Sequence, residues 1–232
     1  MDYSHKADKQ NSDLGERLNA LRAGVLGAND GIISTAGLVI GVAGATTDMS
    51  VIFISGLAGL VAGALSMAGG EYVSVSTQRD TEKAAIEVEK EELKNDYEGE
   101  VEELAEIYRQ KGLSQQLAAE VANELMAKDA LAAHAQEELH IEPGHYVNPW
   151  VAAFFSLCSF TLGALVPLAA IMLLPEMWKT SGTFVSVLVA LALTGYVSAR
   201  LGNAPPGWAV LRNVVVGALT MAVTYGVGNV VK

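Results

Sequence analysis

Apolar residues fall into five long runs, and a polar segment separates the first two runs from the last three. An α-helix needs ~20 mostly apolar residues to cross the hydrocarbon core of a bilayer. The second run has no charged residue from Met49 to Gly70, and the third has none from Val147 to Pro175. The pattern therefore predicts an all-α membrane protein with five transmembrane helices. The predicted spans are Ala23–Thr47, Val51–Gln78, Asn148–Leu174, Gly182–Ala199 and Trp208–Val231.

The polar segment between the second and third spans has helical periodicity. Its apolar stripe recurs at steps of four and three, at Leu93, Tyr97, Val101, Leu104 and Tyr108. Gly112 and Ser114 indicate a break and a new N-cap, so a further helix is expected from Ser114 to about Leu139. The segment is predicted to be a three-helix insert.

These patterns divide the chain into four parts. They are a polar N-terminus (1–22), the first two transmembrane helices (23–79), an acidic helical insert (80–145) and the last three transmembrane helices (146–232). Basic residues lie near the span ends that would share one side of the membrane: Arg17, Arg22, Arg79, Lys83, Arg200 and Arg212. Because basic residues concentrate in cytoplasmic segments, the N-terminus and the insert are expected in the cytoplasm, and Lys232 on the opposite side.

The acidity of the chain is concentrated in the insert. Residues 80–142 hold 18 acidic and 6 basic residues, whereas the rest of the chain is nearly neutral. Such a surface attracts cations and argues against nucleic acid as a partner. The single cysteine, Cys158, excludes an intrachain disulfide.

Three residues inside the first two spans have side chains suited to a cation. Asp30 lies within the first span, where a charge costs ~2.5 to 3.5 kcal/mol near the bilayer centre and so marks a functional site. Met67 and Glu71 are four residues apart and share one helix face. Carboxylate oxygen with thioether sulfur suits Fe²⁺ or Mn²⁺ better than Mg²⁺ or Ca²⁺. Small residues spaced four apart also predict close packing of the first two helices.

Four glutamates of the insert repeat after eleven residues: Glu89 and Glu92, then Glu100 and Glu103. On one unbroken helix they form a stripe, because eleven residues are close to three full turns. If the helix bends near Asn95 to Gly99, the two pairs face one another. In both cases the carboxylates converge and favour a divalent cation.

These motifs resemble the vacuolar iron transporter family over nearly the whole chain from Ala23. The resemblance rests on GANDGI at 27–32, SMAGGEYVS at 66–74 and the glutamate-rich insert before three further spans. It implies that Asp30 and Met67 form a membrane metal site and that the four repeated glutamates bind metal in the cytoplasm. It also implies a homodimer whose first two helices form the pore, and Fe²⁺/H⁺ antiport out of the cytoplasm, with no enzymatic activity and no prosthetic group.

The third insert helix departs from the family pattern. Glu138 matches a further family glutamate, but His134 stands in the stretch where many relatives carry two methionines. An imidazole ligand at His134 would keep iron binding and change the affinity or the metal preference; the alternative is an exposed histidine on the helix surface. Glu137 and His140 form a Glu-x-x-His spacing known from di-iron bundles, yet only one copy is present. His140 is therefore left out of the expected site.

Two other function classes remain open at this stage. A membrane-tethered metal buffer or sensor needs no charges inside the spans, so Asp30 and Glu71 argue against it. A ferritin-like oxidase needs two Glu-x-x-His motifs. The short polar N-terminus favours a prokaryotic plasma membrane, with a vacuolar membrane as the alternative.

Overall fold

A computed structural model describes the backbone of residues 4–231 and the side chains of residues 22–231. The predictions for Arg17 and Lys232 concern residues whose side chains lie outside this described range. Within the described part the chain is helical and has no strand, which confirms the all-α prediction. The helices are α1 (Ser4–Ala45), α2 (Met49–Asn95), α3 (Tyr97–Gln110), α4 (Gln115–Glu137), α5 (Pro149–Leu173), α6 (Lys179–Leu201) and α7 (Pro206–Val231), with a 3₁₀ turn at Glu176–Trp178.

Five helical segments are long and apolar enough to cross a membrane, as the sequence predicted. They lie in α1 from Arg22, in α2, in α5, in α6 with the preceding 3₁₀ turn, and in α7. The 47 residues of α2 measure ~70 Å at a rise of 1.5 Å per residue, more than twice the ~30 Å hydrocarbon core. Only the apolar first part of α2 therefore fits within the membrane, and its charged part from Arg79 onward lies outside the spanning segment.

The chain forms two compact units. One comprises Met1–Val73 and Pro149–Lys232, and the other comprises Ser74–Asn148. The first unit has an apolar core that includes Ile40, Phe160 and Leu191. The second has a smaller core around Leu104 and Met126, where α3 packs on α4.

The glycines of α1 bring its backbone close to α5 and α7. A Cβ added to Gly31 would lie 2.2 Å from the Phe160 carbonyl oxygen of α5, and one added to Gly228 of α7 would lie 2.0 Å from the Gly41 carbonyl oxygen. Gly56, Gly59 and Gly63 of α2 instead meet side chains; a Cβ on Gly59, for example, would contact Leu38. The predicted close packing of the first two spans is therefore wrong, because the small-residue faces of α1 point towards α5 and α7.

Short polar caps separate the helices of the second unit. Asp96 ends the α2 helix and caps α3, accepting a hydrogen bond from the Gly99 backbone N–H at 3.1 Å. Gly112 adopts a φ of +102°, in the left-handed region that glycine favours. Ser114 then caps α4, as predicted, by accepting from the Leu117 N–H. The bend at Asp96 favours the second sequence hypothesis, in which the two glutamate pairs face one another.

Candidate functional site: a membrane cleft and a histidine–carboxylate cluster

A cleft of about 510 Å³ lies along α1 and α2 in the first unit. Asp30, Met67 and Glu71, the three candidate residues of the spans, all line it. The remaining polar lining comes from hydroxyl groups, and apolar side chains complete the wall. These further lining residues are Leu26, Ser34, Thr35, Leu38, Gly59, Gly63, Ser66, Gly70 and Phe160. The predicted membrane ligands therefore share one cavity.

Glu71 forms an ion pair at this cleft. Its carboxylate is 9% exposed and forms an ion pair with Arg22, whose Nη2 lies 2.9 Å from Oε1. Asp30 is exposed to the cleft, and its carboxylate has no hydrogen bond or ion pair with another described side chain. The two carboxylates thus differ in chemistry, because Arg22 neutralises Glu71 whereas Asp30 presents an uncompensated oxygen donor.

A polar network fixes α1 next to Asp30. The Asn29 side-chain oxygen accepts hydrogen bonds from Thr194 Oγ1 of α6 at 2.7 Å and from Asn213 Nδ2 of α7 at 3.2 Å. Buried polar groups in a membrane interior need such partners. Because successive residues of a helix point about 100° apart, this network helps set the direction of Asp30 towards the cleft.

The second unit holds a buried cluster of one histidine and several carboxylates. His134 of α4 is fully buried, and its Nδ1 lies 3.2 Å from Glu89 Oε1 of α2 and 3.5 Å from Glu100 Oε2 of α3. Glu138, one turn further along α4, places its Oε2 3.3 Å from the same nitrogen. Three helices therefore bring donor atoms of Glu89, Glu100 and His134 within 4.8 Å of one another.

The other ring nitrogen of His134 determines what Nδ1 can do. Nε2 lies 2.8 Å from the backbone carbonyl oxygen of Glu100. A carbonyl only accepts hydrogen bonds, so Nε2 carries the hydrogen and donates it. Nδ1 faces three carboxylates, an arrangement that needs a positive charge: either a proton on Nδ1, which then donates to Glu138 Oε2, or a cation between these groups. A metal-bound histidine is oriented in this way by a backbone carbonyl.

Glu89 is the most deeply buried of the three carboxylates around His134. It is 2% exposed, and its Oε1 makes no hydrogen bond with any described group. Burial raises the pKa of Glu89 to about 7; His134 lowers this pKa, and neighbouring carboxylates raise it further. Burial likewise raises the pKa of Glu100. A divalent cation would compensate these charges, because buried charges are normally paired or coordinate metals.

The other predicted insert ligands surround this centre. Glu92 and Glu103 are exposed, and both raise the pKa of Glu100 through their charge. They attract cations to the cluster without lying among its closest donor atoms. His140 is also exposed, and its Nδ1 lies 3.1 Å from the Gln136 carbonyl oxygen, so it remains outside the cluster.

A break inside α4 positions the cluster histidine. Asp129 has non-helical backbone angles (φ −162°, ψ 95°). Its side chain caps the second half of the helix by accepting from the Ala132 N–H at 3.0 Å. This second half carries His134 and Glu138. The sequence analysis missed the break, although an aspartate before Ala130 is an ordinary N-cap signal.

Sequence reasoning also missed several residues of the membrane cleft. Arg22 was assigned only to orientation, yet it pairs with Glu71. Thr35 and Ser66 line the cleft and were not singled out. Their small hydroxyl side chains give no signal in a transmembrane sequence, where serine and threonine commonly bond to their own helix.

The donor sets indicate what each site can bind. The cleft combines carboxylate and hydroxyl oxygens with the Met67 thioether, and the cluster combines imidazole nitrogen with carboxylate oxygens. Imidazole and carboxylate ligands together suit divalent transition metals such as Fe²⁺ and Mn²⁺. Both sites are therefore suited to the same class of cation.

Comparison with known proteins supports this interpretation. The sequence profile described as VIT family matches residues 21–229. The chain is 44% identical over 222 residues to a protein of Acanthamoeba castellanii named vacuolar iron transporter, covering 95% of this chain and 82% of that protein. It is 36% identical over 215 residues to the Arabidopsis thaliana vacuolar iron transporter homolog 3, covering 92% and 84% of the two chains.

A further relative is the vacuolar iron transporter homolog 1 of Oryza sativa subsp. japonica. It is 37% identical over 212 residues, which cover 91% of this chain and 73% of the rice protein. The similarity thus includes the cleft, the cluster and all five apolar helices. The chain is an integral membrane protein and belongs to the VIT family.

Proposed function

We propose that this protein transports divalent transition-metal cations, Fe²⁺ or Mn²⁺, out of the cytoplasm in exchange for protons. The observation that carries the proposal is that Asp30, Met67 and Glu71 line one cleft within the apolar helices. A buffer or an enzyme attached to the membrane needs no such donors inside its anchor. The names of the relatives, vacuolar iron transporter and its homologs, support iron as the cargo.

Each donor has a distinct part in this mechanism. Asp30 binds the cation electrostatically and takes up a proton when the cation leaves, which couples the two movements. Met67 supplies a soft sulfur atom that favours transition metals over Mg²⁺ and Ca²⁺. Glu71, paired with Arg22, forms the entrance of the cleft, since it lies nearest the end of the apolar part of α2.

The insert binds the same cations in the cytoplasm and raises their supply to the cleft. Glu89, Glu100 and His134 are the inner ligands, Glu138 lies beside them, and the exposed Glu92 and Glu103 attract cations. The protein acts as a homodimer, in which the first two helices of each copy line the path. The plasma membrane of a prokaryote is the proposed location, with a vacuolar membrane as the alternative.

Uptake into proteoliposomes tests the transport proposal. Vesicles carrying an Fe²⁺-sensitive dye and a second, pH-sensitive dye should show Fe²⁺ movement with opposite proton movement in the wild-type protein. Asp30→Asn should abolish both signals, because it removes the charge while keeping the shape. Glu176→Gln is the matched control, since Glu176 is an exposed acid in the same unit and should leave transport unchanged.

Unchanged Fe²⁺ uptake by Asp30→Asn would contradict the proposed mechanism. The histidine–carboxylate cluster supports a second candidate function, a membrane-tethered metal buffer. That function would be indicated if the wild-type protein bound Fe²⁺ tightly but moved none across the membrane. Fe²⁺ uptake without proton movement would support the transport proposal and contradict proton antiport.

A further inference from the structure

The ion pair between Arg22 and Glu71 lies at one end of the membrane cleft. The cleft lining on α1 begins at Leu26, and the lining on α2 ends at Glu71. Arg22 lies four residues before Leu26, so the two side chains point in nearly the same direction, one helical turn apart. The Arg22 Nη2 contacts the Glu71 Oε1 at 2.9 Å. A positive charge is therefore placed beside the carboxylate at which the lining ends.

The opposite end of the cleft is apolar. Leu38 is the last α1 residue of the lining, and Gly59 is the first α2 residue. A Cβ added to Gly59 would lie 2.4 Å from the Leu38 Cδ2, so the two helices approach closely there. Such a contact offers a cation no charged ligand. Glu71 is therefore the carboxylate that can receive a cation at an end of the cleft.

The two partners of the ion pair differ in exposure. The Arg22 side chain is 57% exposed, whereas the Glu71 side chain is 9% exposed. An ion pair with a solvent-exposed arginine is weak, so a more strongly attracted cation can replace Arg22. A buried carboxylate without a positive partner is costly. Glu71 therefore favours an exchange of one cation for another over the loss of Arg22 alone.

We propose that Arg22 makes Glu71 selective for divalent over monovalent cations, because a cation must displace the guanidinium before Glu71 binds it. This inference rests on the proposed transport function. At equal distance and dielectric constant, the carboxylate attracts Fe²⁺ about twice as strongly as K⁺. K⁺ carries no more charge than Arg22 and lacks the hydrogen bonds of a guanidinium, so it does not displace the arginine.

Fe²⁺ uptake into proteoliposomes in two media tests this proposal. One medium contains K⁺ and the other tetramethylammonium, a bulky ion that cannot approach a carboxylate as closely, each at about 0.15 M to keep screening equal. In the wild-type protein the KM for Fe²⁺ should differ less than about twofold between the media.

Arg22→Gln should change both values. In tetramethylammonium its KM for Fe²⁺ should fall about fivefold, because Fe²⁺ no longer competes with a weak ion pair. K⁺ should then raise this KM about threefold, because it now competes for the unpaired carboxylate. If Arg22→Gln does not yield folded protein, Arg22→Met replaces it, since methionine keeps an unbranched apolar stem without the charge.

Three further variants locate the effect. Arg22→Lys keeps the charge and should remain insensitive to K⁺. The double variant Arg22→Gln with Glu71→Gln should lose the K⁺ effect, because the carboxylate is gone. Arg200→Gln is the matched control: Arg200 is an exposed arginine near the end of α6 that donates to Tyr196 of its own helix, and its loss should leave the KM unchanged in both media.

Four outcomes would overturn the inference: no K⁺ effect in Arg22→Gln, an equal effect in Arg200→Gln, a K⁺ effect that persists in the double variant, or K⁺ sensitivity in Arg22→Lys. The last would show that the guanidinium positions α1 against α2 and that its charge is not the filter. Failure of the proposed function itself gives a different result, since the wild-type protein would then move no Fe²⁺ in either medium.

Discussion

The histidine–carboxylate cluster differs from the donor set that the family resemblance implied. His134 brings nitrogen to a stretch where the family resemblance implied methionine sulfur. Its Nε2–H is used by the Glu100 carbonyl oxygen, so only Nδ1 is free for a cation. The donor set of Glu89, Glu100 and His134 offers nitrogen and oxygen atoms, which favour Fe²⁺, Mn²⁺ and related ions.

Metal binding by the cluster should depend on pH near neutrality. Glu89 must be ionised to bind a cation, and burial raises its pKa to about 7. Below this pH protons compete with the metal, so the affinity for Mn²⁺ should fall about tenfold per pH unit. Above it the affinity should level off. Titration calorimetry of the full-length protein between pH 6 and 8 measures this dependence.

Glu89→Gln provides the comparison for this pH dependence. The amide does not titrate, so the variant should bind Mn²⁺ more weakly at pH 8 and lose much of the change between pH 7 and 6. Equal Mn²⁺ affinity of the wild-type protein at pH 6 and pH 8 would contradict the assignment of Glu89 as a ligand.

At the scale of elements, helix breaks determine where the ligands meet. Asp96 ends α2 and starts α3, which turns the second pair of glutamates back towards the first. Asp129 interrupts α4 and redirects the half that bears His134. The two aspartates thus cap the helical segments that carry Glu100 and His134.

Loss of the Asp129 cap should therefore weaken metal binding. Asp129→Ala removes the hydrogen bond to the Ala132 N–H, at a cost of ~1 kcal/mol of stability. The released half-helix would move His134, so Mn²⁺ affinity should fall about tenfold, as for a lost metal-positioning contact. Thermal melting and calorimetry measure the two effects.

Ser114→Ala is the control for this prediction. Ser114 caps the first half of the same helix, away from the cluster. It should lower the thermal stability by a similar amount and leave the Mn²⁺ affinity unchanged. Equal effects of both substitutions on affinity would mean that the cap at Asp129 stabilises the helix without orienting His134.

At the scale of the whole molecule, the two units carry different chemistry for one cargo. The apolar unit has a cleft with few donor atoms, and the acidic unit has a buried cluster surrounded by further carboxylates. In the proposed function, few donors allow the cation to leave the cleft again, and many carboxylates favour its capture by the cluster. In the proposed function the second unit raises the supply of cation to the first.

Removal of the insert carboxylates should slow transport without abolishing it. Replacing Glu89, Glu92, Glu100 and Glu103 together by Ala removes the cluster and should lower metal binding and the uptake rate at low Fe²⁺. At high Fe²⁺ the rate should recover, because the cleft is intact. Proteoliposome uptake over a range of Fe²⁺ concentrations measures this shift.

A second quadruple variant separates ligands from general charge. Glu87, Glu91, Glu98 and Glu102 are exposed acids interleaved with the proposed ligands. Replacing these four by Ala removes the same charge and should have a much smaller effect. Equal slowing by both variants would indicate that the insert acts only through its electrostatic field.

The sequence by itself determined the features that follow from composition and period. Five apolar runs of about 20 residues or more are long enough to cross a membrane as helices, and each helix satisfies its own backbone hydrogen bonds there. The sequence likewise predicted the concentration of acidic residues in the insert, the N-cap at Ser114 and the family motifs that contain Asp30 and Met67. Each depends on residues that are close in sequence.

Only the tertiary structure decided which helices approach and which donors meet. The spacing of Gly27, Gly31 and Gly41 indicated close packing, but it could not say that the partners are α5 and α7. Nor could it show that Arg22 pairs with Glu71, or that His134 lies among three carboxylates. These facts depend on contacts between residues distant in sequence, which local periodicity does not encode.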